Sequence, residues 1–329
     1  MLPDGIRNNS KSPDYKLGIS LLAFFYAYVL ANYVPMDSSI KDRMNYLEYA
    51  GNSEIIILGF ISKGYLNLFV NEPIWLSTNI VLNQYFEPET TLRIIIFFTA
   101  SVTAYLVLSV NPRFFLFLLF ILIFPQVIVK SVVHIRQGFA ISIFLLGWFT
   151  ISKPWRWLLF SLTPLIHASF FIVLFLCSFT WFLNHLKLAS DLRMIATVFI
   201  GLVVGLGLAI IASFLGVRQA SEYEFTGTDV SGLGFLFWLC ILVIYWSQGR
   251  EFAKKNTFAM VAIGFYLTTY FLVEVTARIF ESMFIIVLLA SLGLTSWRRI
   301  VFIGATVTLV VLSWSLRLNQ PVLGLGAGS

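Results

Sequence analysis

Long runs of apolar residues, separated by short polar segments, fill most of the 329-residue chain. Hydrophobic residues make up 59% of the sequence and charged residues only 12%, whereas a soluble domain carries roughly 25% charged residues. A soluble fold needs a polar exterior, which this composition does not supply. The composition argues against soluble enzymes, nucleic-acid-binding proteins and disordered proteins. It predicts an all-α, polytopic integral membrane protein.

The number of apolar runs sets the expected number of spans. About 20 apolar residues cross a bilayer core as a helix, so the length allows about 10–11 transmembrane helices with short loops. We expect the first span over 17–34, and further apolar runs follow at 91–110, 114–133, 138–152, 155–181, 194–215, 233–247, 257–275, 279–295 and 299–316. Pro125 and Pro164 fall inside two runs and should kink or break their helices, because proline removes a backbone donor.

We expect one transmembrane domain over residues 1–329, with three polar segments attached to it. Residues 1–16 are predicted to be a cytoplasmic tail, since they are polar and carry three basic side chains. Residues 35–90 are predicted to form an extracytoplasmic region with re-entrant or interfacial helices. A membrane crossing at 55–70 is an open alternative, because this stretch is apolar but interrupted by Lys63 and Gly64.

The distribution of basic residues favours an orientation for the C-terminal half. Segments 250–256 and 296–299 are rich in Lys and Arg and are therefore expected in the cytoplasm. The loop 216–232 then lies outside. In the N-terminal half, residues 130–137 face the cytoplasm if 55–70 crosses the membrane and face outside if it does not. The net charge of +6 fits basic inter-helix loops and does not require nucleic acid as a partner.

One short segment carries an unusual density of polar side chains between apolar runs. Lys130, His134, Arg136 and Gln137 lie within eight residues of one another. Ionisable groups at membrane depth cost about 2.5–3.5 kcal/mol each on insertion scales, so the cluster indicates a water-filled cavity or an anionic ligand. A loop at the interface whose cations reach the headgroups is the alternative. If Gly138–Trp148 is helical, Arg136 begins that helix, and the two together form an anion site.

Two other polar groups interrupt later apolar runs. His167 follows Pro164 in the middle of a run and is either a base or phosphate ligand, or a histidine satisfied by a neighbouring helix. Glu274, Arg278 and Glu281 are spaced by four and three residues, so in a continuous helix they would share one face. They would then form internal ion pairs, or Arg278 would face a ligand phosphate.

Aromatic and acidic residues in two polar segments suit carbohydrate binding, because rings stack on sugar faces and carboxylates accept hydrogen bonds from hydroxyl groups. The segment 216–232 offers Arg218, Glu222 and Tyr223, and the segment after the first span offers Asp42 and Tyr46. Solvated loops are the alternative for both. The sequence contains no nucleotide-binding loop and no recognised hydrolase or zinc-ligand motif. We therefore expect no metal and no cofactor.

The stretch 134–176, which begins HIRQGFAISIFLLGWF, resembles the core of the EpsG family. These are polytopic membrane proteins of bacterial exopolysaccharide, capsule and O-antigen loci, related to Wzy-type polymerases. The resemblance rests on an Arg-Gln pair that opens a span, a basic aromatic loop, a span with His and a hydroxyl residue, an early Asp with Tyr, and a late Arg followed by an apolar residue. The matching positions are Arg136, Gln137, Ala140, Lys153, His167, Ser169, Asp42, Tyr46, Tyr49, Arg278 and Ile279.

The resemblance implies polymerisation of undecaprenyl-pyrophosphate-linked oligosaccharide units at the outer face of the bacterial inner membrane. Arg136 and Arg278, with Arg218 as a further candidate, would stabilise the pyrophosphate leaving group. The base would be His167, Glu222 or Glu281. Substrate contacts would come from Lys130, His134, Gln137, Arg218, Glu222, Tyr223, Asp42 and Tyr46. The lipid bilayer, the lipid-linked oligosaccharide and a chain-length regulator would be its partners. A flippase for the same lipid, a membrane O-acyltransferase and a glycan ligase are the alternatives.

Overall fold

The structure is a computed structural model that describes residues 12–186, 188–214, 232–273 and 275–316. All regular secondary structure in these residues is helical, which confirms the all-α prediction for the described part of the chain. The chain divides into two compact units. Of the described residues, those within 12–168 and 307–316 form what we call the N-terminal unit, and those within 169–306 form the C-terminal unit.

The N-terminal unit contains nine helices between Pro13 and Leu162 in the described residues. Single 3₁₀ turns lie at Pro112–Phe114 and Thr163–Leu165. The helices are α1 (Pro13–Tyr33), α2 (Arg43–Ser62), α3 (Tyr65–Val70), α4 (Pro73–Asn83), α5 (Pro88–Leu108), α6 (Phe115–Leu122), α7 (Pro125–Val132), α8 (Ile135–Phe149) and α9 (Lys153–Leu162). The region 35–90 therefore holds three complete helices and the start of a fourth.

Helices α1 and α5 pack along each other, and small residues form much of their buried faces. Ala23, Ala27 and Ala31 are spaced by four residues on α1, and Ala100 and Ala104 are spaced in the same way on α5. All five are buried. Small residues at this spacing let two helix backbones approach closely, which is a common device in membrane proteins.

The two prolines predicted to interrupt apolar runs do so. Pro125 begins α7, and the helical segments Pro112–Leu122 and Pro125–Val132 meet at an angle of 64°. Pro164 lies in the 3₁₀ turn between α9 and the next helix. In both cases the proline has no N–H for the helix ladder, so one apolar run becomes two shorter helical segments.

The C-terminal unit is built around a buried helix, α14. The helices of this part are α10 (Phe170–His185), α11 (Ser190–Phe214), α12 (Leu233–Ser247), α13 (Arg250–Lys255), α14 (Thr257–Thr269), α15 (Thr276–Glu281), α16 (Phe284–Ala290) and α17 (Ser296–Ser315), the last of which continues past the unit boundary. Helices α10, α11, α12 and α16 all pack on α14. Every residue from Thr257 to Tyr266 is buried.

Several helices have lengths and compositions typical of membrane proteins. Among the described residues, α1, α5 and α17 are long and apolar enough to cross a bilayer, and the bent pair at Pro112–Val132 would add a fourth span if it counts as one. Shorter apolar helices include α8, α10, α12 and α14. A helix such as α8, with 15 residues, is about 22 Å long at about 1.5 Å per residue, against a bilayer core of about 30 Å.

Gly138 holds α7 and α8 close together. A Cβ atom at this position would lie 2.1 Å from the carbonyl oxygen of Lys130 and 3.3 Å from the Cα atom of Ser131. Both neighbours are backbone atoms, so no side-chain rotation could make room. The glycine after Arg136-Gln137 therefore has a packing role: it allows the start of α8 to touch the backbone of α7.

We expect Gly138→Ala to lower the thermal stability of the purified protein, because forcing a methyl group into a packed contact costs about 1–3 kcal/mol. Gly59→Ala is the matched control. Gly59 lies within α2, and a methyl group added there would have no neighbouring atom within 4 Å, so alanine should leave stability unchanged or raise it. Melting temperatures in the same detergent compare the two variants, and a Gly138→Ala protein that melts like the wild type would contradict this packing.

Candidate functional site

The end of α7, the turn after it and the start of α8 hold all four polar residues of the segment that the sequence singled out. His134 is the residue before α8, and Arg136 lies in the first turn of that helix. This confirms the prediction that Arg136 begins a helix. Lys130 Nζ donates a hydrogen bond of 2.9 Å to Gln137 Oε1, and both side chains are buried. Two of the four polar side chains are thus paired with each other by a hydrogen bond between α7 and α8.

Arg136 forms a buried ion pair with Glu72. The guanidinium Nη1 donates to Glu72 Oε2, and the two side chains are only 11% and 8% exposed. The partners are separated by 64 positions in sequence, so the pair joins the start of α8 to the start of α4. Removing one partner of such a pair would leave an uncompensated buried charge, which is far more costly than losing a surface pair.

The backbone of Glu72 has an unfavourable conformation that its surroundings must stabilise. Its φ of 62° puts it in the left-handed region, which is unfavourable for a residue with a Cβ atom. Pro73 follows and begins α4. Strained backbone conformations of this kind persist where the surroundings fix them, and they are concentrated at functional sites.

Two tyrosines from α2 lie beside the Arg136 guanidinium. Its central carbon is 5.6 Å from the ring centroid of Tyr46 and 5.4 Å from that of Tyr49. Both distances permit a cation–π interaction. The Tyr46 ring is buried and meets the Trp75 ring edge-on at 5.8 Å. Arg136 is thus positioned by one carboxylate and two aromatic rings from other helices.

The chain segment that contains His167 also reaches Glu72. The backbone N–H of Ala168 donates to Glu72 Oε1 at 3.3 Å, and the His167 N–H donates to the Thr163 carbonyl at 3.0 Å. The structure therefore brings Tyr46 and Arg136 together around Glu72 and places the backbone beside His167 in the same cluster. We refer to Glu72, Arg136, Tyr46, Tyr49 and Ala168 as the Arg136 cluster.

Asp42 and Arg43 open α2, one turn before Tyr46. Asp42 is exposed and makes no side-chain cap for the helix, and its φ is 60°. Arg43 is buried, and its Nη2 donates to the Val132 carbonyl at 2.7 Å. Burial lowers the pKa of Arg43 to about 10, so the side chain stays protonated at neutral pH.

Two of the remaining predicted residues, Arg278 and Glu281, lie in the C-terminal unit. Arg278 and Glu281 belong to the short helix α15, which begins at Thr276. Ser282 Oγ donates to the Arg278 carbonyl at 3.4 Å and lies 3.5 Å from Ser169 Oγ. Four residues of the prediction fall outside the described residues, namely Arg218, Glu222, Tyr223 and Glu274. The continuous helix predicted from Glu274 to Glu281 is wrong, because α15 begins only at Thr276 and the described residues Val273 and Val275 are not helical.

Sequence reasoning did not select Glu72 or Arg43 as site residues. Glu72 lies in the mixed stretch 71–90, where its neighbours give no spacing signal. The only local sequence signal is that Glu72 precedes Pro73, a residue that often begins a helix. Arg43 is one of several charges in the polar region after the first span. Nothing in the sequence distinguishes it from a solvated arginine.

The described residues contain no group of three or more His, Cys, Asp or Glu side chains that could hold a metal ion. Comparison of the chain with protein-family models, with curated proteins and with solved structures finds no match. The assignment of a function therefore depends on the geometry and charge of the Arg136 cluster.

We expect Glu72→Gln to destabilise the N-terminal unit strongly. The amide keeps the size of the side chain but removes the charge that balances Arg136, and breaking a buried pair costs about 3–5 kcal/mol. Glu89→Gln is the matched control, since Glu89 pairs with Arg93 at 2.7 Å but is 54% exposed. Surface pairs contribute about 0–1 kcal/mol. The free energy of unfolding in mixed micelles gives the comparison, and equal losses in the two variants would refute a special role for the buried pair.

Proposed function

We propose that the chain is a multi-pass protein of the bacterial inner membrane that joins undecaprenyl-pyrophosphate-linked oligosaccharide repeat units into a polysaccharide. The proposal includes about 10–11 membrane spans and a site that faces the outside. The Arg136 cluster carries the proposal: a buried arginine at the start of a helix, balanced by Glu72 and flanked by two tyrosine rings. In a chain this apolar, buried ionisable residues are a functional-site hypothesis by default.

The proposed reaction makes one bond and breaks one bond at the donor sugar. An acceptor hydroxyl oxygen bonds to the anomeric carbon of the donor glycan, while the bond from that carbon to the pyrophosphate oxygen breaks. The hydroxyl proton passes to a base, and undecaprenyl pyrophosphate leaves with the electron pair. The site must therefore supply positive charge at the leaving group and an acceptor for the proton.

Arg136 suits the first of these tasks. A guanidinium has five N–H donors and remains charged, so it can bind a phosphate group in addition to a carboxylate. Arg136 Nη1 is engaged by Glu72, while its buried Nε has no hydrogen-bond partner among the described residues. The first turn of α8 adds the positive end of a 15-residue helix. Glu72 would hold the guanidinium in place until the pyrophosphate arrives.

The second task would fall to His167, with Glu281 and Glu222 as alternatives. The backbone next to His167 contacts the Arg136 cluster through the Ala168 N–H, which favours His167 over a residue elsewhere in the chain. Tyr49, which is partly exposed, would offer an aromatic face to a sugar ring, whereas the buried Tyr46 ring would help to position Arg136. The role of Arg278 as a second cation for phosphate stays a prediction.

We expect purified wild-type protein to convert a defined undecaprenyl-pyrophosphate-linked repeat unit into a ladder of its multiples. Arg136→Ala should lower the rate about 10²-fold or more, as is typical when a charge-stabilising donor is removed. Arg136→Lys should restore little, because lysine lacks the planar fork of donors. Separation of the products by length measures all three rates.

Arg113→Ala is the control for this assay, because Arg113 is an exposed arginine in the 3₁₀ turn before α6. Cooperative thermal unfolding must first show that each variant is folded. A normal ladder from Arg136→Ala would remove Arg136 from the reaction. Unchanged substrate from folded wild-type protein, supplied with its genuine repeat unit, would overturn the polymerase proposal in favour of lipid transport.

A further inference from the structure

Arg43 presents hydrogen-bond donors that the described residues do not use. Its side chain is 1% exposed, and one donor, on Nη2, reaches the Val132 carbonyl. The Nε and Nη1 atoms are buried without a hydrogen-bond partner among the described residues. Because Nε carries one N–H and Nη1 carries two, most of the guanidinium's donors are left over. Buried donors are rarely left in this state without a ligand or ordered water.

None of the ion pairs in the described residues involves Arg43. The carboxylate whose charge acts on it, Asp37, is exposed and accepts hydrogen bonds from Ser39. The nearby cation Arg93 interacts unfavourably with Arg43 and, after burial, is a further cause that lowers its pKa. Arg93 is itself engaged by Glu89 and by the Ala31 carbonyl. The buried Arg43 guanidinium therefore has no carboxylate within ion-pair distance, and an anion beside it would complement a charge that Asp37 offsets only from the surface.

The backbone at the same turn favours an anion as well. Arg43 is the first residue of α2, a helix of 20 residues, and Asp42 in front of it provides no side-chain cap. The first N–H groups of a helix have no partner within the helix, and they point out of its positive end. The Arg43 N–H already donates to the Ile40 carbonyl at 3.2 Å, so the N–H groups left at this helix start are those of Met44 and Asn45. They follow directly in the chain after a guanidinium with spare donors.

We propose that Arg43 and the first turn of α2 bind a phosphate oxyanion, either the phosphate of a lipid headgroup or free phosphate. A tetrahedral oxyanion offers acceptors in several directions, so it suits donors on different edges of one guanidinium together with backbone N–H groups. A single water molecule would satisfy some of these donors but would bring no negative charge to the buried guanidinium. The site is independent of the glycan reaction proposed for the Arg136 cluster.

The test measures how anions change the melting temperature of the purified full chain. Inorganic phosphate is titrated in detergent against chloride at matched ionic strength. Separately, nanodiscs of phosphatidylcholine are compared with and without phosphatidate. Arg43→Met keeps the volume of the side chain and removes its charge, an exchange that buried sites often tolerate. Arg113→Met is the control for the general effect of losing one arginine, because Arg113 is exposed.

We expect the melting temperature of the wild type and of Arg113→Met to rise with anion concentration until it saturates. In Arg43→Met the apparent phosphate affinity should be at least about tenfold weaker, as for a lost hydrogen bond to a charged group. A higher melting temperature with inorganic phosphate supports free phosphate as the ligand. A higher melting temperature only in nanodiscs with phosphatidate supports a lipid headgroup as the ligand. No rise in either arm, or the same rise in Arg43→Met, overturns the proposal. If Arg43→Met does not fold, Arg43→Lys replaces it, and wild-type affinity in that variant likewise overturns the proposal.

Discussion

A buried ion pair between Arg136 and Glu72 is the interaction on which the N-terminal unit depends most. Two charges removed from water are costly unless each is balanced and hydrogen-bonded. Here the balance comes from distant parts of the chain: Glu72 from the start of α4, Arg136 from the start of α8 and the Ala168 N–H from the segment after Pro164. Each segment must reach its position before the pair can form. The pair therefore connects the order of the helices to the geometry of the candidate site.

The short sequence Arg136-Gln137-Gly138 has a divided role in this arrangement. Gln137 accepts the hydrogen bond from Lys130, and Gly138 lets α8 touch the α7 backbone. These two residues fix the turn. Arg136, in contrast, forms an ion pair with Glu72, and its guanidinium lies beside the rings of Tyr46 and Tyr49. The packing of the turn thus determines where the guanidinium lies, and the proposed binding of pyrophosphate uses a group whose position is set before the substrate arrives.

Features with a local cause could be predicted from the sequence. The helical fold follows from the apolar runs, and the breaks at Pro125 and Pro164 follow from the missing proline N–H. The position of Arg136 at the beginning of a helix was also predictable from the apolar run that follows it. The apolar runs and the prolines are sufficient for these statements, because they involve only neighbouring residues.

Features with a distant cause could not be predicted in the same way. Glu72 has no spacing relation to Arg136, and its importance appears only once α4 and α8 are folded. Arg43 looks like a surface charge until α7 covers it and supplies the Val132 carbonyl. The pairing of Lys130 with Gln137 likewise requires the turn between α7 and α8. Each of these contacts joins residues through tertiary packing, which a single sequence does not reveal.

Binding of undecaprenyl pyrophosphate without sugars tests the central claim, that Arg136 is the phosphate-binding group of the cluster. The dissociation constant is compared for the wild type, Glu72→Gln and the double variant Glu72→Gln with Arg136→Gln. The double variant has no unbalanced charge, so its fold should be less affected than that of the single variant. The account predicts that Glu72→Gln binds at least as tightly as the wild type, since the arginine no longer has a competing carboxylate, and that the double variant binds poorly. Wild-type affinity in the folded double variant would contradict it.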